Sequence, residues 1–243
     1  MFKKLFKIML FFILSVQFSY ATLVNDGFEE YKKGNVYEAL EIFEKACDSG
    51  AYAGCYNAGL MYYKGKDIEQ NYLKAANNFT KACEEGHTNA CYNLGYMYQN
   101  GLGVRQDFSK VVSLYNMTCD SGVAAACYNL AVMYETEDGV TKDLFKAVDF
   151  LTKACNNDHT KACYNLAIKF ENGAGVEKRP LKAAQLYEKS CDLGYENACY
   201  NLGIMYMEET VFKKDEQKAA ELFKKACDMN LEIACEAYKN LNN

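Results

Sequence analysis

The chain has 243 residues, 27 Lys and Arg against 32 Asp and Glu, and a formal net charge of −5; it carries 12 cysteines, two histidines, one proline and no tryptophan. A net acidic chain lacks the concentrated Lys and Arg that grip a phosphate backbone, so nucleic acid is not an expected partner. Two histidines are too few for recurrent His-based zinc centres, and no metal or other cofactor is expected.

Residues 1–21 differ from the rest. MFKKLFK carries three lysines and no acid, IMLFFILSVQF is almost wholly apolar, and Ser19 and Ala21 are small residues at the −3 and −1 positions. That layout predicts a signal peptide cleaved before Thr22, and hence a secreted or periplasmic protein. The apolar core is shorter than the roughly 20 residues of a comfortable membrane span. No cysteine follows it closely to take a lipid, so no stable membrane anchor is expected after cleavage. Removal of the three lysines takes the formal charge from −5 to −8. All 12 cysteines remain, and an even count in an exported chain predicts disulfides. No basic amphipathic helix suits an anionic membrane surface.

Residues 22–243 read as one array. Cys47, Cys83, Cys119, Cys155, Cys191 and Cys227 recur every 36 residues, each followed eight residues later by Cys55, Cys91, Cys127, Cys163, Cys199 or Cys235. A period of this size marks stacked supersecondary units rather than a single globular core. In YLKAANNFTKAC (72–83), Ala75, Phe79, Ala82 and Cys83 fall on one helical face. EEGHTNA is a polar turn, after which Ala90, Leu94, Met97 and Tyr98 mark the apolar face of a second helix. GLGVRQD breaks that helix. Pro180 precedes LKAAQLYEKSC, where a first-turn proline is tolerated because its missing N–H had no helical partner. No segment sustains period-two alternation. The expected fold is all-α, an α/α solenoid of antiparallel helix pairs. Gly59, Gly95, Ala131, Ala167 and Gly203 hold one position, and Phe79, Tyr115, Leu151, Tyr187 and Phe223 another. Glycine costs about 1 kcal/mol in a helix against alanine, so its recurrence suggests close packing.

FTKACEEGHTNACYNLGYMYQNGLGVRQDFSK (79–110) resembles a Sel1-like repeat, a relative of the tetratricopeptide repeat. The start, 23–51, is closer to a tetratricopeptide, with Gly27, Ala39, Phe43 and Ala46 at that family's spacing. Repeats of 36 residues then begin at about 52, 88, 124, 160 and 196, with a half-repeat cap at 232–243. The C-x7-C of every copy, behind a signal peptide, resembles the Helicobacter cysteine-rich proteins. That resemblance implies a penicillin-binding protein with slow β-lactamase activity. The chain contains no Ser-x-x-Lys, no Lys-Thr-Gly and no zinc motif, so no catalytic residue is assigned.

In this reading each first cysteine ends one helix and its partner opens the next, within reach of a bond. A unit copied six times should bond within itself, which pairs Cys47 with Cys55, Cys83 with Cys91, Cys119 with Cys127, Cys155 with Cys163, Cys191 with Cys199 and Cys227 with Cys235. His87 and His159 hold the same turn position two repeats apart, too distant to share a metal.

Solenoids bind on the face built by the first helix of each pair. There Asn57, Asn93, Asn129, Asn165 and Asn201 recur, each preceded by a tyrosine: Tyr56, Tyr92, Tyr128, Tyr164 and Tyr200. The resemblance to tetratricopeptides implies that these amides hold an extended peptide. An amide bonded across the stack would satisfy the same groups, and the amphipathic tyrosine rings also suit packing. The rows Tyr96, Val132, Ile168, Ile204 and Gln99, Glu135, Glu171, Met207 vary between copies and are expected to set specificity. The ligand is expected to be a peptide, a protein, or a muropeptide or β-lactam, bound by a monomer. The alternative is a non-enzymatic interaction scaffold. GLGV and GAGV follow helices and lack a phosphate-binding lysine, so they are not nucleotide loops.

Overall fold

The computed structural model describes residues 22–209 and 211–241; the expected signal peptide lies outside the described residues. Within them the elements are helical: α1 (22–33), α2 (Val36–Asp48), α3 (Tyr52–Lys64), α4 (Tyr72–Glu84), α5 (Thr88–Asn100), α6 (Phe108–Asp120), α7 (Ala124–Thr136), α8 (Leu144–Asn156), α9 (Thr160–Asn172), α10 (Pro180–Asp192), α11 (Glu196–Met207), α12 (Glu216–Asp228) and α13 (Glu232–Leu241). This is the all-α, α/α solenoid class that the period implied. The chain forms two compact units that divide after Thr118. No described helix is long and apolar enough to cross a membrane.

Helix boundaries follow from residue chemistry. Asn71, Asp143 and Asp215 accept the backbone N–H of Lys74, Lys146 and Lys218, capping α4, α8 and α12. Gly65, Gly101 and Gly173 end α3, α5 and α9 in the left-handed conformation that glycine adopts without a Cβ penalty. Pro180 opens α10 as expected.

Packing follows the two recurring rows. In the first unit Phe43, Phe79, Leu94 and Met97 are buried in one core. In the second, Leu130, Met133, Leu151 and Tyr187 are buried. The small-residue row has the reason its recurrence suggested. A Cβ on Gly59 would lie 2.8 Å from the Phe79 ring, on Gly95 2.8 Å from Tyr115, and on Gly203 2.6 Å from Phe223. Each glycine lets a ring of the following helix press onto its backbone.

One residue breaks the apolar pattern. Lys169 occupies the place of Met97, Met133 and Met205, is only 8% exposed, and pairs with Glu135 of α7. A buried ammonium needs such a partner, because desolvation of the lone charge would be costly.

Six disulfides join the predicted partners, with Cα separations of 4.5 to 4.8 Å. Each spans the short turn between one helix and the next, and no described cysteine is free. The turns need a left-handed residue: Gly50, Gly86, Gly122 and Gly194 in four copies, Asp158 and Asn230 in the other two.

Candidate functional site

The Asn–Tyr pairs stand near the start of α3, α5, α7, α9 and α11, and the structure gives each a definite surrounding. The tyrosine rings lie against aromatic side chains of the stack. Tyr56 stacks on His87 with centroids 4.2 Å apart, and Tyr128 on His159 at 4.5 Å. Tyr92 lies 5.6 Å from Tyr115, and Tyr200 lies 5.4 Å from Phe223. Tyr164 lies 4.9 Å from Tyr195 and 5.7 Å from Tyr187. Packing therefore accounts for one face of these rings.

The asparagines divide between the two uses that the sequence left open. In the second unit Asn165 approaches the Tyr128 hydroxyl at 3.5 Å, and Asn201 that of Tyr164 at 3.4 Å, an amide-to-phenol ladder between successive repeats. Asn129 is also engaged. In the first unit Asn57 donates to the Ala53 carbonyl of its own helix at 2.8 Å. It also lines a cavity of about 280 Å³ walled by Phe28, Phe43, Leu60, Met61 and Ile68. Lys64, Lys66 and Asp67 stand among its lining residues, and the Tyr31 hydroxyl donates to Asp67 at 3.2 Å. Asn93 lines a second hollow of about 220 Å³ with Tyr63, Tyr92 and Tyr96. The structure thus brings Asn57 and Asn93 to open hollows, while Asn165 and Asn201 bond within the stack.

The row Gln99, Glu135, Glu171, Met207 is largely occupied from within. Gln99 accepts the Tyr115 hydroxyl at 3.1 Å and Glu171 that of Tyr187 at 2.6 Å, while Glu135 holds Lys169. These side chains compensate polar groups of the core. Burial, with the Glu171 carboxylate beside it, pushes the Tyr187 hydroxyl far above the ordinary tyrosine range. Sequence reasoning missed the hollow beside α1. Its only signal was Phe28 and Tyr31, whose exposure of about 40% is visible only after folding.

The histidines have structural work. The Nδ1 atoms of His87 and His159 accept the N–H of Ala90 and Ala162 at 3.2 Å, capping α5 and α9. Burial lowers both pKa values from the ordinary 6.5, because the half-buried ring disfavours its charged form. The unfolded chain then binds more protons than the native one below about pH 6.5. The contribution of these rings to stability is full above that pH and declines as pH falls toward their folded-state pKa. Replacement of both by Asn, a cap that does not titrate, is expected to reduce the loss of melting temperature between about pH 7.5 and about pH 5 relative to the parent chain. Equal losses in the two proteins, followed by circular dichroism, would refute it.

No group of three or more His, Cys, Asp or Glu among the described residues is placed to hold a metal ion. With every described cysteine in a disulfide, none of them supplies a thiolate nucleophile.

The Sel1 repeat model matches residues 16–50, 53–87, 88–123, 124–159, 160–195 and 197–231. In that frame each disulfide ties the end of one repeat to the next stretch of chain, as Cys83 of 53–87 to Cys91 of 88–123. The six partners are those that the repetition predicted. A Helicobacter pylori protein named as a candidate β-lactamase, HcpC, is 42% identical over 52 residues, 21% of this chain and 18% of that protein. The match thus spans under a fifth of that relative. Among solved structures, the Escherichia coli protective antigen c5321, described as having an SLR fold, superposes with a TM-score of 0.82 at 28% identity, over 88% of this chain and 47% of that one. A Sel1 repeat protein from Oxalobacter formigenes superposes with a TM-score of 0.74 at 26% identity, over 87% of this chain and 86% of that one. With its helix pairs, its close-packed glycine row and a family match over nearly its whole length, this chain belongs to the Sel1 repeat family.

Proposed function

We propose that the protein is an exported, non-enzymatic scaffold that binds an extended peptide or protein segment along the Asn-bearing helices α3 and α5. The observation that carries this reading is the pair of hollows that Asn57 and Asn93 line. Each combines apolar or aromatic wall with an amide, and an amide offers donors and an acceptor to a peptide backbone. Neighbouring repeats that present the same group at intervals suit an extended ligand better than a compact one. Six disulfides fit an oxidising compartment outside the cytoplasm, and residues 1–21 supply the route there as a signal peptide.

The β-lactam reading rests on the name of HcpC and on resemblance. The described residues supply neither a Ser-x-x-Lys nor a cysteine thiolate to attack the ring. A cell-wall peptide remains within the scaffold reading as one kind of ligand.

The test is selection from a displayed library of random peptides against the oxidised protein, then calorimetry on the enriched sequences. Micromolar binders are expected, weakened about tenfold, or about 1.4 kcal/mol, by Asn57→Ala with Asn93→Ala. An empty selection, or binders indifferent to both substitutions in a protein with unchanged melting, would overturn the proposal.

A further inference from the structure

The hollow at Asn93 departs from the repeat in a way that stacking does not require. Tyr96 occupies a position held by Leu60, Val132, Ile168 and Ile204 in the other copies, and Tyr63 one held by Gln99, Glu135, Glu171 and Met207. The two unusual tyrosines come from neighbouring helices, α3 and α5, and meet Tyr92 and Asn93 around one hollow. Tyr96 is 40% exposed. The Tyr63 ring is braced by Tyr72 at 5.7 Å and Phe79 at 6.4 Å. No charged side chain lines the hollow.

We infer that this hollow, formed by Tyr63, Tyr92, Tyr96 and Asn93, is a docking site for a proline-rich peptide in the polyproline II conformation. The inference rests on the peptide-binding reading above and names the class of peptide. Three arguments carry it. The first is charge: an uncharged lining matches an uncharged ligand and leaves no buried ion without a partner. The second is chemistry. A polyproline II strand makes no internal hydrogen bonds, so its carbonyls stay available to phenol hydroxyls and to an amide N–H, while its proline rings pack on aromatic faces. The third is spacing. Such a strand repeats every three residues, about 9 Å. Tyr63 of α3 and Tyr92 and Tyr96 of α5 line the one hollow, so prolines three residues apart, on the same face of the strand, can meet rings of both helices. The strand is also ordered before it binds, which suits a shallow site with few donors.

The probe is acetylated, amidated decaproline, titrated into the full oxidised chain, beside a scrambled Gly-Ser peptide of equal length and chitotriose. Decaproline is expected to bind at least tenfold tighter than the Gly-Ser peptide. Tyr96→Ala should remove that preference, and Tyr96→Phe should weaken binding less, since the ring remains. Tyr96 is exposed enough for truncation to leave the fold intact, and a melting curve checks this for both variants. Decaproline no tighter than the Gly-Ser control, or equally tight with Tyr96→Ala, would overturn the inference. So would chitotriose binding that is lost with Tyr96→Ala while decaproline does not bind. If library peptides lacking proline bind through Asn57 and Asn93 and decaproline does not, the scaffold reading survives and the proline class falls. If no peptide binds, both fall.

Discussion

Loss of the Cys155–Cys163 disulfide through Cys155→Ala with Cys163→Ala is expected to destabilise the protein by about 2.5 kcal/mol, and reduction of all six bonds by far more. The estimate for one bond comes from closing a short loop in the unfolded chain. For a chain of this length it corresponds to a fall in melting temperature of about 5–10 °C. The architecture makes the change qualitative as well. In a repeat array each unit is stabilised mainly by its neighbours, so stability is a sum of repeat and interface contributions. These disulfides tie consecutive repeats together across their shared turn. Full reduction should therefore broaden the melting curve and separate the loss of different repeats, where the oxidised chain melts more sharply. The measurement is circular dichroism with and without a phosphine reductant, with complete reduction verified by thiol titration. A fully reduced chain that melts at the oxidised temperature would refute the argument.

The second large effect is at Gly103, the second glycine of GLGV. Its φ is +66°, and a Cβ there would lie 2.2 Å from the Tyr72 carbonyl carbon and 2.3 Å from its oxygen. Those are backbone atoms at the start of α4 and cannot rotate aside. Gly175 of GAGV repeats the arrangement, 2.5 Å from the Leu144 carbonyl oxygen. Gly86 is the internal comparison: its φ is +85°, but a Cβ there meets nothing within 4 Å. Gly86→Ala should cost about 1–2 kcal/mol, for the left-handed backbone alone. Gly103→Ala should cost that and a shift of one repeat against another, about 3 kcal/mol or more. The chain already tolerates Asp158 and Asn230 in the Gly86 turn position, consistent with the smaller cost. Urea denaturation of the two variants decides it. Equal losses would mean that the loop yields and the close approach costs nothing.

These glycines also show where sequence reasoning reached its limit. GLGV was legible as something other than a nucleotide loop, because it follows a helix and lacks a lysine. That its second glycine is a contact with the preceding helix pair was not legible, since nothing in the motif says which backbone lies opposite. His87 and His159 are a similar case. Their spacing argued against a metal, and their capping bonds are local, but their stacking on Tyr56 and Tyr128 depends on where the neighbouring repeat sits.

The candidate site was legible in part. Asn57, Asn93, Asn129, Asn165 and Asn201 were visible as a row from the period alone. Their division into hollow-lining and stack-bonding amides was not, because it turns on which residues stand at other positions of the repeat. Where Tyr96 replaces Val132 or Ile168, and Tyr63 replaces Glu135 or Glu171, the rings build an aromatic hollow around Asn93. In the second unit Asn165 and Asn201 instead reach a phenol of the preceding repeat.

By itself the sequence determined the repeat length, the helix pairs and their breaks, and the cysteine partners. All of these follow from interactions within a few turns of chain, where periodicity and turn chemistry act directly. Only the tertiary structure decided that Lys169 is held in a core position by Glu135, that Gln99 and Glu171 serve buried tyrosines, and that α3 and α5 present hollows. Lys169 and Glu135 meet across two repeats, while the Gln99–Tyr115 and Glu171–Tyr187 bonds and the ring-on-glycine contacts join the two helices of one repeat, where periodicity along each helix does not say which side chains meet.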